Sequence, residues 1–168
     1  DKKPKLSVFK SFGTAHMNYQ GVDLEFVGAR KESYKRNSRN PIVEDGTLED
    51  DQNRRDFTIN AMAICLNEGR WGELIDPFNG VADLERKLIK TPLSPDKTFD
   101  DDPLRMMRAV RFAAQLDYRI DTSTLKSIRA HASRLKIVAP ERISVELNKI
   151  MAVDKPSYGL GLLFTSGL

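Results

Sequence analysis

The chain has 168 residues, 40% of them apolar and 30% charged, which is enough apolar material for one domain or two small ones. Its 27 basic and 24 acidic side chains leave a net charge of +3, which permits an anionic partner without demanding one. The single cysteine, Cys65, excludes an internal disulfide, no apolar run reaches the ~20 residues of a membrane helix and no signal peptide is visible, so the expected setting is the cytosol, with no membrane partner.

The opening "DKKPKLSVFK" lacks an initiator methionine and the close "LLFTSGL" is apolar, so the chain reads as a piece of a longer protein. Residues 6–30 have strand character, with a hairpin break at Tyr19-Gln20-Gly21. In "GVDLEFVGAR" the apolar Val22, Leu24 and Phe26 alternate with Asp23 and Glu25, which sends both carboxylates to one face of a strand. Residues 31–53 show no apolar periodicity and read as one long loop, basic first and acidic second. Residues 54–66 read as a helix with Phe57, Ala61, Ile64 and Cys65 on its apolar face. A short strand follows at 72–75, a turn at 76–80 and a short helix at 81–89.

The proline-bearing "KTPLSPDKTF", residues 90–99, is the expected linker, and helices are predicted over 103–116, about 122–133 and about 140–153. The expectation is therefore an α+β fold, with a mixed portion over 1–92 and an all-helical portion over 93–168.

The densest chemistry is "FDDDPLRMMRAVRFA", residues 99–113. Asp102 before Pro103 supplies an N-cap acceptor and then a residue suited to the first helical position. Arg105, Arg108 and Arg111 then step around one side of the helix by roughly 60° each. A charged amphipathic helix accounts for the pattern without any ligand. Asp102 and Arg105 also sit one turn apart, an acceptor beside a donor fork. The Watson–Crick edges of cytosine and adenine show an exocyclic amine beside a ring nitrogen acceptor. Guanine and uracil show the inverse. Such a pair accepts C and A and leaves its charges unpaired against G and U.

Arg108 and Arg111 are candidates for a triphosphate and the base, because guanidinium forks suit phosphate oxygens. In "NRRDFTINA", Arg54 and Arg55 are placed to clamp phosphate at a helix start, Asp56 to accept from a ribose hydroxyl, and Asn60 to share its face. Glu25, with Asp23, is a candidate metal ligand for phosphoryl transfer, although two carboxylates on a strand equally face solvent. In "APERISVELNKIM", Glu141, Arg142 and Glu146 lie on an amphipathic helix, and Glu141 or Glu146 is placed to brace an arginine of the first helix. There is no CxxC, HExxH, Walker A or GxGxxG, and His16 and His131 are far apart.

These blocks resemble, in order and spacing, the class II tRNA nucleotidyltransferase/poly(A) polymerase family, which includes the CCA-adding enzymes. "RRDFTINAMA", "DPFNGVADL", "DDPLRMMRAVRFA" and "ERISVEL" are similar to its second to fifth motifs, over roughly residues 8–153. The resemblance implies transfer of CMP and AMP from CTP and ATP to the 3′ end of tRNA, with no nucleic-acid template and with Mg²⁺ as cofactor. It implies that Asp102 and Arg105 read the base, that Arg108 and Arg111 contact the nucleotide, that Arg55 contacts the nucleotide and Asp56 the sugar, and that Glu141 and Arg142 support the fourth motif. The family's glycine-rich turn and paired metal-binding aspartates have no counterpart in this sequence. "VDLEFVGAR" resembles the strand after them, and Glu25 fits its third carboxylate because Arg30 matches the arginine five residues on. The expectation is a chain with the base reader but without most of the metal site or the tRNA-holding domains, inactive by itself. A poly(A) polymerase, an enzyme adding only C or only A, and a non-catalytic RNA-binding module remain alternatives.

Overall fold

The computed structural model describes residues 5–9, 13–33 and 42–168. Residues 34–41 of the expected long loop, and the N-terminal residues 1–4 and 10–12, lie outside the described residues. Strands β1 (Ser7–Phe9), β2 (Thr14–Tyr19) and β3 (Val22–Val27) form an antiparallel sheet in that order. The predicted hairpin joins β2 to β3 through Gln20 (φ 50°) and Gly21 (φ 82°). Two successive positive φ angles match the right-handed strand twist, and glycine takes the second of them without strain.

The segment expected as a featureless loop is more ordered than its composition suggests. Strands β4 (Arg30–Ser33) and β5 (Ile42–Asp45) pair antiparallel, and helix α1 (Leu48–Asn53) follows. Thr47 caps α1 in a reciprocal box: its hydroxyl accepts from the Asp50 amide, and the Asp50 carboxylate accepts from the Thr47 amide. Polar side chains build this helix, so an apolar period gives no sign of it.

The helix expected over 54–66 does not form. Residues Thr58–Asn60 make a 3₁₀ turn, and β6 (Ala63–Ile64) pairs antiparallel with β7 (Leu74–Ile75). The backbone here is satisfied from elsewhere in the chain. The Thr58 amide donates to the Lys90 carbonyl at 2.9 Å, and the Gln52 side-chain amide donates to the Ala61 carbonyl at 2.8 Å. Asp76 in the predicted turn accepts from the amides of Gly80 (2.6 Å) and Val81 (3.0 Å) and so starts α2 (Gly80–Glu85). The helix expected to reach residue 89 stops at Glu85, because β8 (Leu88–Ile89) pairs parallel with β9 (Arg119–Ile120).

The expected linker contains α3 (Pro95–Asp101), which buries Phe99. Asp100 and Asp101 close this helix, while Asp102 is extended and its carboxylate accepts from the Leu104 amide at 3.1 Å. That bond starts α4 (Leu104–Leu116), the predicted helix of the arginine row. Helices α5 (Thr122–His131), α6 (Pro140–Met151) and α7 (Pro156–Ser166) follow, with a 3₁₀ segment at Ala132–Ile137. Helix α7 falls in the portion expected to be helical without a range of its own, whereas β9 interrupts that portion because it pairs with β8.

Met106, Ala109, Val110 and Ala113 of α4 are fully buried, and α4 packs against α6 and α7. A fully buried side chain such as Met106 contributes roughly 1.5–3 kcal/mol. The same apolar cluster takes in Phe57, Ile89, Phe99, Ile128 and Ile150, so residues from both sides of the 90–99 segment share one core. The arginine row is thereby fixed against the segment that carries residues 54–60.

Candidate functional site

A cleft of about 870 Å³ opens between the 54–60 segment and the faces of α4 and α6. Its lining includes Arg54, Arg55, Asp56, Asn60, Asp102, Arg105, Arg108 and Arg142, eight residues that the sequence singled out across three separate motifs. The five lining arginines (54, 55, 105, 108, 142) face four carboxylates (Glu32, Asp56, Asp102, Glu146). The charges nearly balance, so the wall is a set of oriented pairs rather than a plain basic patch.

Asp102 and Arg105 are held separately. One Asp102 oxygen accepts from the Leu104 amide, and the other lies 3.6 Å from the Arg142 guanidinium. Arg105 is buried, and its Nη2 donates to the Arg54 carbonyl at 2.7 Å. That carbonyl belongs to the C-cap of α1, where a cation is favoured by the unsatisfied carbonyls. An acceptor fixed by backbone and a donor fork fixed by backbone therefore share one wall.

Asp56 is buried, and both of its oxygens are engaged. Oδ1 accepts from the Phe57 amide (2.9 Å) and from the Asn60 side chain (3.1 Å). Oδ2 accepts from Arg108 Nε at 2.7 Å, and Arg108 Nη2 lies 2.6 Å from it in the same ion pair. The 3₁₀ turn, not a helix, brings Asn60 back onto Asp56.

Arg54 and Arg55 do not precede a helix as expected; they follow the end of α1, so a helix N-terminus gives no support to an anion there. Both are tied to Asp51, whose two oxygens accept one arginine each, and Arg54 also pairs with Glu32 of β4 at 3.0 Å. Burial pushes the Asp51 carboxyl upward, but hydrogen bonds from Arg55 and Arg54 outweigh it and hold it below the ordinary value of 3.8. Glu32 and Asp51 were missed by sequence reading, which saw only polar loop there. The i, i+3 and i, i+4 spacing of Asp51 to Arg54 and Arg55 was the available signal.

Arg111 is outside the lining. Its Nε donates to Glu146 at 2.6 Å, its Nη1 to Gln115 at 3.0 Å, and its guanidinium carbon sits 3.8 Å from the Phe112 ring centroid. Glu146 is thus the brace from α6 that the sequence proposed. Phe112, also missed, lines the cleft; the Arg108 guanidinium lies 5.4 Å from its centroid, and the Phe57 ring meets it edge-on at 5.8 Å. Glu141 is exposed and outside the lining.

Glu25 stands apart. It is exposed on β3, on the same face as Asp23 and opposite His16 on β2. Among the described residues, no group of three or more His, Cys, Asp or Glu side chains is placed to hold a metal ion. The described residues therefore do not by themselves fit a divalent metal site.

The profile of the poly A polymerase head domain matches residues 1–90, and the profile described as probable RNA and SrmB-binding site of polymerase A matches residues 117–168. The chain belongs to the class II tRNA nucleotidyltransferase/poly(A) polymerase family. A CCA-adding enzyme of Limosilactobacillus reuteri is 44% identical over 158 residues, covering 93% of this chain and 38% of that protein. An A-adding tRNA nucleotidyltransferase of Aquifex aeolicus is 46% identical over 121 residues, covering 72% of this chain and 14% of that protein. The crystal structure of the Bacillus stearothermophilus CCA-adding enzyme in complex with CTP superposes with a TM-score of 0.84 at 32% identity, over 98% of this chain and 39% of that one. The chain thus spans under half the length of these relatives. Its α+β architecture is that of the family's head. Among the described residues, no helix is long and apolar enough to cross a membrane.

Proposed function

We propose that this chain is the nucleotide-selecting part of an enzyme that transfers CMP and AMP from CTP and ATP to the 3′ end of tRNA, in the cytoplasm and without a nucleic-acid template. The observation that carries the reading is the fixed acceptor–donor wall: Asp102 held by the Leu104 amide and Arg105 held by the Arg54 carbonyl, on one cleft. In this reading Asp102 accepts from the exocyclic amine of C or A, and Arg105 donates to the neighbouring ring nitrogen. A wrong base leaves two charged groups unpaired, at a cost of about 1–3 kcal/mol. Asp56 serves the ribose, with Asn60 beside it. Arg55, about half exposed, and Arg108, about one-third exposed, face the phosphates. Arg111 acts from behind through Glu146 and Phe112, and Arg54 and Arg142 hold the base-reading pair. Residues 1–92 serve as the palm portion and 93–168 as the helical neck.

The family resemblance implies Mg²⁺ for the complete reaction, where it would supply charge neutralisation at the triphosphate. Glu25 is at most one ligand of that site, and the chain by itself does not complete it. The A. aeolicus relative supports a second reading, an enzyme that adds only A. The same wall serves either enzyme.

The test is a titration of the chain with ATP, CTP, GTP and UTP. Binding of ATP and CTP with exclusion of GTP and UTP supports the reading, and Arg105→Ala then removes the preference. Equal binding of all four, with affinity set by salt alone, points to a non-catalytic phosphate-binding module instead.

A further inference from the structure

We propose that Arg134, which lies outside the motifs and outside the cleft, is a positioning residue for base reading: by gripping the end of α3 at Asp100 it sets the direction of the Asp102 carboxylate. This rests on the function proposed above and adds a residue on which its specificity depends.

Three carboxylates in a row, Asp100, Asp101 and Asp102, stand where α3 ends. A helix C-terminus carries partial negative charge and unsatisfied carbonyls, so it favours cations and disfavours acid. The last turn of α3 contains no basic residue. Each aspartate instead meets a cation from farther away. Asp101 takes Lys97 at 2.7 Å, one turn back on α3 itself. Asp102 lies 3.6 Å from Arg142 of α6. Asp100 faces Arg134 of the 3₁₀ segment, 34 residues on. Arg134 Nη2 donates to the Asp100 main-chain carbonyl at 2.9 Å, and Nε lies 3.0 Å from Asp100 Oδ1 in an ion pair.

The three contacts are not equivalent. Lys97 and Asp101 share one helix and the lysine is well exposed, so their pair ties α3 to nothing else. Arg142 is too far from Asp102 for a hydrogen bond. Arg134 is only 22% exposed, and it answers an orphan carbonyl and the first acid together.

Asp102 depends on that grip because its own tie to α3 is long: its amide reaches the Thr98 carbonyl at 3.4 Å, beyond the usual range. Its extended backbone, φ −140° and ψ 99°, is the joint between α3 and α4. Helix α4 is held by its buried face, and the Asp102 carboxylate bonds the Leu104 amide at its start. The other side of the joint is the end of α3. Phe99 anchors that helix through a fully buried ring but does nothing for the charge of the acids that follow. Without the Arg134 cation, repulsion among them loosens the last turn of α3 and frees the backbone at Asp102. The carboxylate then turns relative to Arg105, which stays anchored on the Arg54 carbonyl. Acceptor and donor lose their common alignment, so the loss falls on base preference rather than on binding as a whole.

The experiment is titration of this chain with ATP, CTP, GTP and UTP, repeated on variants well below the melting temperature of each. Arg134→Gln should lower the preference for ATP and CTP about tenfold, on the order of one hydrogen bond to a charged group. Arg134→Lys keeps a cation at the end of α3 and should recover most of the preference. Asp100→Asn combined with Arg134→Gln removes the acid that the arginine answers, and should recover most of it too. Lys97→Ala should leave the preference unchanged. A preference in Arg134→Gln within about twofold of wild type, even with a lowered melting temperature, shows a merely structural role and overturns the assignment, while the nucleotide-selecting function stands. An equal loss in Lys97→Ala, or no recovery in Arg134→Lys and in the double variant, overturns it as well. If the wild-type chain shows no preference, the function fails and the proposal fails with it.

Discussion

Arg111 and Glu146 form an ion pair 2.6 Å long that is almost wholly buried between α4 and α6, with the Phe112 ring against the guanidinium face. Glu146 lines the cleft and Arg111 lies behind it. The pair fixes the helix from which Arg105 and Arg108 reach forward.

Removing one member of this pair strands the other. Glu146→Ala should cost about 3–5 kcal/mol, the range for an uncompensated buried charge. Glu146→Leu combined with Arg111→Met should recover most of that loss. Urea midpoints of the three proteins check this, and a single-variant loss below about 0.5 kcal/mol would show that the pair does not brace the helices.

Arg105 needs a fork, not merely a charge. A lysine at this position keeps the cation but cannot bond the Arg54 carbonyl and a base in one plane. Arg105→Lys should retain triphosphate binding within a few-fold while its preference for ATP and CTP over GTP and UTP collapses. The four-nucleotide titration reads both quantities, and an unchanged preference would remove the planar-fork argument.

Asp51 links stability to pH. Its folded-state carboxyl is held below the ordinary value by Arg55 and Arg54 despite burial, so its contribution is complete above the unfolded value near 3.8 and is lost as pH falls through the folded value. Asp51→Asn should cost about 1.5–3 kcal/mol at pH 7, the worth of a hydrogen bond to a charged group. The gap between wild type and variant should narrow as the pH drops below about 4. Denaturation at pH 7 and pH 3 tests this; a constant gap would contradict the assigned cause.

Gly80 has no room for a side chain. A Cβ there would sit 2.5 Å from the Thr58 carbonyl oxygen and 2.9 Å from Met62 Cγ. Thr58 is also held by its hydroxyl on Asp83 at 2.7 Å, so the backbone has little freedom to retreat. Gly80→Ala should destabilise by about 1–3 kcal/mol. It should also weaken nucleotide binding, because the displaced turn carries Asp56 and Asn60. A melting temperature equal to wild type would show that the turn adapts.

The sequence made the arginine row legible because a cap, a proline and a three-residue spacing are local signals. The Gln20-Gly21 hairpin was legible for the same reason. The 54–66 segment misled because Phe57, Ala61, Ile64 and Cys65 mimic a helical stripe. Its geometry is set by Lys90, Gln52 and Asp83, which lie far along the chain or outside the stripe. Glu32 was hidden because its partner Arg54 is 22 residues away in a polar region without periodicity. The site residues themselves were readable mainly through four ordered motifs. Which of them face the cleft and which are buried behind it, as with Arg108 and Arg111, depends on packing that no spacing reveals.

The acceptor that holds Arg105 is a main-chain carbonyl, and every amino acid brings one. Replacing the residue at position 54 by any other side chain leaves that acceptor in the chain. A saturation scan of position 54 would report the loss of ties to Asp51 and Glu32 while remaining blind to the grip on Arg105. A one-residue insertion or deletion within 48–53 would register it, because it would move the carbonyl itself. The position of Arg105 is therefore robust to substitution at its anchor and fragile to changes in chain length just before it.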